Sequence, residues 1–184
     1  GGAASQLAQL LLASEFENAT YDGATTDGVL ARDFESRTLR PADVVTLTIG
    51  GNDLLGSAFA RPVGDRAQGQ ARLLQRRLGN LDRLGVLIAG IGRQVVFNTV
   101  YDPTDGDDSH AGELGLSPEI RPALAMLNSH LKAVATRHGF RLCDLEALFH
   151  GHGFWSKNPW MVMHIEPNLA GATAIANAWH ALLR

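Results

Sequence analysis

The residues of this chain best suited to chemistry form the run Gly50-Gly51-Asn52-Asp53, which ends the apolar stretch TLTI. Glycine adopts backbone angles that other residues avoid, and it lets another group approach the chain closely. Asn52 can then direct its side-chain NH2 into the space beyond the strand, where doubly wound sheets bind their ligands. A neutral donor in that place stabilises the oxyanion of a tetrahedral intermediate, because the charge develops only in the transition state.

A second donor of this kind is the backbone N–H of Gly23, which lies in the run YDGATTDG after another predicted strand. Together with the amide of Asn52 it would form a pair of neutral donors for one oxygen. The alternative is purely structural, since GGND also suits a turn in which Asn52 or Asp53 caps the following helix. The four letters alone favour neither interpretation.

Four short β-forming runs alternate with longer segments of helical period, which is typical of a parallel sheet covered by helices on both faces. The predicted strands span residues 17–22, 43–50, 94–100 and 140–145. The predicted helices cover residues 4–16, a stretch capped by Thr25 or Thr26, two leucine stripes at 74–88 and 124–134, and the C-terminal residues from 167–169 to 183. Pro118 and Pro122 blur the start of the second leucine-striped helix. The sequence therefore predicts an α/β fold.

The order of these elements lacks the strand with which an alternating α/β fold normally begins. The first predicted element is a helix, with only glycines ahead of its alanines. A four-stranded sheet without its middle strand would leave apolar faces open to water. We therefore expect residues 1–184 to form a single domain that starts after the natural first strand, with a genuinely shortened fold as the alternative.

Charge and hydropathy exclude two classes of partner. The net charge of -3 comes from 16 basic and 19 acidic residues, with no block of either sign, so nucleic-acid binding is not expected. No apolar run reaches the 18 or more residues typical of a membrane-spanning helix. We expect a soluble protein with no membrane span.

Neither a metal ion nor an organic cofactor is predicted. The carboxylate-rich loop DPTDGDDSHAGE lacks the glycine spacing of an EF-hand, and the histidines do not fall at metal-ligand spacing. No Gly-x-Gly-x-x-Gly run follows a strand, which argues against a dinucleotide site. The lone cysteine, Cys143, lies in an apolar stretch and is interpreted as a small buried hydrophobe rather than a catalytic thiol.

Three runs in register resemble the conserved blocks of the SGNH or GDSL hydrolases. YDGATTDGVL is similar to the second block, TLTIGGNDLL to the third and IEPNLAGATAIANAW to the last, and their order and separation also fit. The resemblance covers nearly the whole chain. It implies a flavodoxin-like three-layer α/β/α sandwich that hydrolyses esters with a serine nucleophile, a histidine base and an oxyanion hole. In this sequence, it implies that Gly23 supplies a backbone donor and Asn52 a side-chain donor.

The first departure from the family concerns the nucleophile. The Gly-Asp-Ser motif, which ends the family's first strand, does not occur in the 184 residues. Ser5, Ser57, Ser109 and Ser156 do not fall in a predicted strand-to-helix elbow, and each is interpreted as a cap or a surface hydroxyl. We therefore expect a serine outside the printed residues, and little turnover by these residues alone.

The second departure concerns the base. The last block normally reads Asp-x-x-His-Pro, but Met163 and Glu166 occupy the positions of the aspartate and the histidine. Glu166 could be the base, although a glutamate is a weaker base unless burial raises its pKa. Alternatively His164, or less favourably His152, is the base and Glu166 orients it, or the site is inactive. If MVMHIEPN is extended, His164 and Glu166 share a face.

These expectations together predict an ester hydrolase that acts without a cofactor on a small carboxylic ester, with a short acyl group or an acetylated carbohydrate. Trp155 and Trp160 either wall its substrate pocket or belong to the core. The alternative is a non-catalytic ligand-binding module that keeps the oxyanion pocket but has lost nucleophile and base. A flavodoxin-like cofactor binder is disfavoured, because the loops lack a phosphate cradle.

Overall fold

The computed structural model of the protein describes residues 2–35, 39–58, 66–116 and 120–184; the side chains at 57–58 and 66–71 lie outside that description, as do Pro118 and the Ser57 hydroxyl. The strands are β1 (Ala42–Leu47), β2 (Gly92–Asn98), β3 (Arg141–Cys143), β4 (Met161–Val162) and β5 (Glu166–Pro167). The α-helices are α1 (Ala3–Leu10), α2 (Thr26–Val29), α3 (Gly51–Ala58), α4 (Arg66–Ala89), α5 (Asp108–Glu113), α6 (Ile120–His138), α7 (Leu145–Phe149) and α8 (Leu169–Leu183). A π-helical segment, Leu30–Glu35, continues α2.

The main sheet is parallel, with the strand order β1-β2-β3. Val45 pairs with Val95 and Leu47 with Phe97, and Phe97 pairs in turn with Leu142. Consecutive apolar residues in β2 suit a strand that is buried on both faces. The predicted parallel α/β sheet is thereby confirmed, with three of the four predicted strands in it.

Side chains of β2 alternate between two cores, one on each face of the sheet. Phe97 packs with α4 and α6, where Leu84 and Val134 are fully buried. Val96 points the other way and packs with α1, α7 and α8, including Trp179. Because a strand has a side-chain period of two, adjacent residues serve opposite cores and create three layers. This arrangement matches the flavodoxin-like sandwich expected from the sequence.

Buried amides fix the carboxyl ends of the strands. Asn98, fully buried, donates to the carbonyl of Leu47 at 2.7 Å and accepts from the indole N–H of Trp179 at 2.6 Å. The side chain of Asn128 bonds to both the N–H and the carbonyl of Val100, each at 2.7 Å. A buried polar group is tolerated when it is paired in this way. These amides therefore hold the end of the sheet from which the candidate site is built.

The predicted strand at residues 17–22 is wrong, because the segment is irregular. The side chain of Asn18 accepts from the N–H of Thr20 at 3.1 Å and from its hydroxyl at 2.7 Å. Local bonds of this kind compete with strand ladders. Consequently, no strand among the described residues pairs with the edge of β1 opposite to β2.

The first helix is shorter than the predicted 4–16. Leu12 has a left-handed φ of 50°, the N–H of Ala13 bonds to the carbonyl of Ala8, and that of Leu12 bonds to Gln9. These two bonds form a Schellman C-cap, which usually has glycine at the left-handed position. The helix was predicted too long because leucine at this position does not indicate a helix C-terminus.

Cys143 is buried, as predicted, at the end of β3. Burial, helped by the charge of neighbouring Asp144, raises the pKa of its thiol to about 11. A thiol in this state is a poor nucleophile. Separately, none of the helices in the described ranges combines the length and apolarity needed to cross a membrane.

Candidate active site

The turn after β1 places Asn52 at the start of α3. Gly50 has a φ of 107°, and a Cβ on it would lie 3.0 Å from the side chain of Leu127. Both the backbone angle and the close approach require glycine at this position. The GG pair thus lets the chain turn sharply from strand to helix against α6, as the sequence predicted.

The loop before α2 carries the second predicted donor, Gly23. This residue has a φ of 72° and is exposed. The side-chain NH2 of Asn52 donates to the carbonyl of Ala24 at 3.1 Å, which joins the two predicted segments. Because the NH2 group has two hydrogens, one remains to donate to another acceptor.

Asp53, considered in the sequence only as a helix cap, binds the same loop. Its carboxylate accepts from the N–H of Thr26 at 2.9 Å and from the Thr26 hydroxyl at 2.8 Å. Burial raises the pKa of Asp53, against the opposing effect of the Thr26 hydrogen bonds and of Arg77, 3.6 Å away. No motif in the sequence signalled this contact, which joins residues 27 positions apart.

A cavity of about 1140 Å³ runs along the edge of β1 that no described strand pairs with, and it extends to Gly23 and Asn52. It is lined by β1 itself, by the segment 11–24 and by the loop after β2, among other residues. Gly23, Asn52 and Glu166 all line it, whereas His164 does not. Small-ligand pockets usually measure about 300–1,000 Å³, so this cavity has room for more than a small ester.

The run MVMHIEPN forms a hairpin rather than one extended strand. Val162 of β4 pairs with Glu166 of β5, and Met163 and His164 have left-handed φ angles of 51° and 69°. The tight turn breaks the alternation that would have placed His164 and Glu166 on one face. The ring of His164 packs instead 4.4 Å from that of Phe154, and no contact joins it to Glu166 among the described residues.

Tyr101 supports the base of this hairpin. Its hydroxyl donates to the carbonyl of Ile165 at 2.7 Å, and its ring stacks on Phe149 with centroids 4.5 Å apart. Burial raises the pKa of Tyr101, and the negative charge of Glu166 raises it further. Tyr101 and Glu166, which both line the cavity, are therefore close enough to interact electrostatically.

The sequence profile of the GDSL-like lipase/acylhydrolase family matches residues 1–174. The chain belongs to this family. It is therefore an esterase-type hydrolase, as the resemblance implied. No curated protein sequence matches the chain.

Two solved structures resemble this GDSL-like hydrolase throughout its length. An α/β-hydrolase enzyme from the metagenome of Lake Arreo, Spain, is 25% identical, with a TM-score of 0.70 over 98% of this chain and 80% of that one. An acetylxylan esterase from Geobacillus stearothermophilus is 16% identical, with a TM-score of 0.72 over 100% of this chain and 81% of that one. At this lower identity the likeness shows the fold alone.

The serines considered in the sequence do not complete a catalytic site in this GDSL-like hydrolase. The hydroxyl of Ser5 donates to the carbonyl of Gly2 at 2.8 Å, and that of Ser109 bonds to Asp107, the cap of α5. Neither of them lines the cavity, and Ser156 does not line it either. Ser14, which the sequence analysis passed over, does line it, but it is exposed and makes no described bond to a base.

His152 and the two tryptophans lie behind the hairpin. The imidazole of His152 stacks on Trp160 with centroids 3.7 Å apart, and its Nδ1 lies 2.9 Å from the carbonyl of Asn158. Trp160 packs against the core around α8, whereas Trp155 stacks with His110. None of these four aromatic side chains lines the cavity.

The carboxylates of the acidic loop are used within the protein. Asp102 accepts from the hydroxyl of Thr104 at 2.6 Å and from the N–H of Gly106 at 3.1 Å. Asp105 accepts from the N–H groups of Gly151 and Gly153, each at 2.9 Å. The loop thus braces the chain before the hairpin. Within the described ranges, no three potential metal ligands cluster.

Proposed function

We propose that this GDSL-like hydrolase cleaves carboxylic esters with an oxyanion hole formed by the N–H of Gly23 and the side-chain amide of Asn52. The observation that carries the proposal is that Gly23, Asn52 and Glu166 line one cavity, which runs along β1 and reaches the turn after its carboxyl end. Ligands of doubly wound sheets bind at this end of the strands. Two donors from different segments suit an oxygen that becomes charged only during the reaction.

The nucleophile in this proposal is a serine that is not among the 184 residues. The free edge of β1 and the large cavity beside it support a further strand at this place. The six residues of β1 extend over roughly 20 Å, at about 3.3 Å per residue. A parallel strand paired along that length would end near the turn that leads from β1 to Asn52, which suits a nucleophile at its last residue.

Glu166 is the proposed base. It is exposed rather than buried, so the proposal rests on its position: it lines the cavity, whereas the ring of His164, on the hairpin turn, packs against Phe154. In this mechanism the serine hydroxyl gives its proton to the Glu166 carboxylate as its oxygen bonds to the ester carbon. The tetrahedral intermediate then breaks its bond to the alcohol oxygen, which takes the proton back from Glu166. Water attacks the acyl-enzyme in the same way, giving its proton to Glu166, which returns it to the serine oxygen as the acid leaves. The proposed substrate is a short acyl ester, in particular an acetylated carbohydrate, the substrate class named for one structural neighbour.

The test is turnover of p-nitrophenyl acetate by the full-length gene product and its Asn52→Ala variant. Loss of one oxyanion donor lowers kcat by about 100- to 1,000-fold, so we expect a fall of that size. Asn177→Ala, an exposed asparagine on α8, is the matched control and keeps wild-type kcat. An Asn52→Ala variant as active as the control would overturn the oxyanion assignment.

Ser14→Ala tests where the nucleophile lies. Because Ser14 has no base within the described contacts, we expect kcat to remain unchanged. Abolished turnover would instead identify Ser14 as the nucleophile and remove the proposed additional strand. A full-length protein that binds acetylated xylo-oligosaccharides but turns over no ester would establish the ligand-binding module in place of the enzyme.

A further inference from the structure

The two segments of the proposed oxyanion hole are joined by a polar network behind it. Asp53 follows Asn52 directly, is 3% exposed, and binds the N–H and the hydroxyl of Thr26 with its two carboxylate oxygens. Arg77 of α4 lies 3.6 Å from this carboxylate, with most of its own side chain buried. A buried carboxylate with three such partners holds its neighbours in a narrow range of positions.

Asn80, one turn further along α4, binds the same loop from a second direction. Its NH2 donates to the hydroxyl of Thr26 at 3.2 Å and to the carboxylate of Asp27 at 2.8 Å. Asn80 is 6% exposed, so these bonds are largely shielded from water. Thr26 is therefore held between α3 and α4 through its hydroxyl group.

Thr26 is not needed to cap its own helix. The hydroxyl of Thr25 accepts from the N–H of Gly28 at 3.2 Å and provides the N-cap of α2. The hydroxyl of Thr26 is thus free to join segments rather than to end a helix. The neighbouring residues Asn52 and Asp53 consequently bind Ala24 and Thr26, so two crosslinks span the gap between the proposed donors.

We propose that Asp53, Thr26 and Asn80 are positioning residues that set the spacing of the two oxyanion donors, Gly23 and Asn52. This inference rests on the proposed function. Donors stabilise a transition state best when they are already in place, because moving them during the reaction costs free energy that offsets this stabilisation. A misplacement of about 1 Å can cost roughly 100-fold in rate. The network would therefore act on kcat without touching the substrate.

The experiment compares Thr26→Val with Thr25→Val in the full-length gene product. Valine is nearly isosteric with threonine but lacks the hydroxyl group. Thr26→Val is expected to lower kcat for p-nitrophenyl acetate by about 10- to 100-fold at nearly unchanged KM. Thr26→Ser keeps the hydroxyl and should retain most of the wild-type kcat. Thr25→Val removes the N-cap of α2, so it should lower the melting temperature but leave kcat unchanged. Equal losses of kcat in Thr25→Val and Thr26→Val would show a merely structural role and overturn the inference.

A double variant separates the inference from the function on which it rests. If the network acts through donor geometry, Thr26→Val has little further effect in an Asn52→Ala background, because one of the donors is already lost. Independent, multiplying losses would overturn the positioning role while leaving the oxyanion hole intact. An unchanged kcat in Asn52→Ala alone would overturn both. Should Thr26→Val fail to fold by circular dichroism, Asn80→Ala replaces it in the same cycle, with the same outcomes.

Discussion

The two sides of the cavity are built in different ways. On the donor side, Asn52 and Asp53 bind a loop almost thirty residues away through buried or half-buried hydrogen bonds. On the hairpin side, Glu166 lies on a strand of two residues beside a turn in which Met163 is 74% exposed. The donor side is thus fixed by several tertiary hydrogen bonds, whereas the Glu166 side is a short hairpin held at its base by the bond from Tyr101. Stabilising a developing charge demands rigid donors, while a base needs only to reach its proton.

The largest expected effect tests which residue of the hairpin does chemistry. Glu166→Gln removes the carboxylate with little change in shape, and a lost general base lowers kcat by about 100-fold or more. His164→Gln should retain nearly wild-type kcat, because its ring packs on Phe154 rather than lining the cavity. Steady-state kinetics on both variants of the full-length gene product would measure this. The opposite ranking would return the role of base to His164.

The next effect tests the rigidity of the donor side. Gly50→Ala adds a Cβ at a φ of 107° and 3.0 Å from Leu127, and we expect it to destabilise the protein by about 1–3 kcal/mol. Gly79→Ala is the matched control, since it lies exposed on α4 with nothing near its added Cβ. That change should instead stabilise the protein by about 0.5–1 kcal/mol. Urea unfolding of both variants would show whether the strand-to-helix turn tolerates a side chain.

The smallest expected effect is on the pH dependence of the free energy of unfolding, to which the carboxyl groups of Asp53 and Asp144 contribute with opposite signs. Burial raises the folded-state pKa of Asp53, so its contribution to the free energy of unfolding is full below its unfolded pKa and is lost as pH rises through the folded pKa. At Asp144, burial acts against ionisation, but the bonds from Lys132 and Thr99 outweigh it and lower the pKa. Its contribution is present above the unfolded pKa and is lost as pH falls through the folded one.

Urea unfolding at several pH values between 3 and 7, comparing wild type with Asp53→Asn and Asp144→Asn, would measure these slopes. The stability advantage of wild type over Asp53→Asn should shrink as pH rises. The advantage over Asp144→Asn should grow, by less than about 1 kcal/mol because Asp144 is partly exposed. If both differences changed with pH in the same direction, burial would not dominate the pKa of Asp53, and this prediction would be wrong.

Much of the donor side could be predicted from the sequence, because its signals are local. Two glycines after an apolar run predict the turn, and Asn52 follows directly from that turn. The hairpin was predicted less well. Met163 and His164 both have positive φ angles in this turn, which residues other than glycine rarely adopt. The sequence MVMHIEPN therefore contains no residue that predicts the turn. The strand predicted at residues 17–22 is absent because the bonds of Asn18 to Thr20 compete with strand pairing, and strand propensity does not register such local bonds.

The sequence by itself determined the alternation of strands and helices, the family, and the residues at the end of β1, because each depends on patterns within a few positions along the chain. Only the tertiary structure decided that Asp53 binds Thr26, that Glu166 rather than His164 lines the cavity, and that β1 keeps a free edge among the described residues. These features join segments from 27 to more than 100 positions apart. Such contacts arise from the packing of whole elements, which local patterns do not encode.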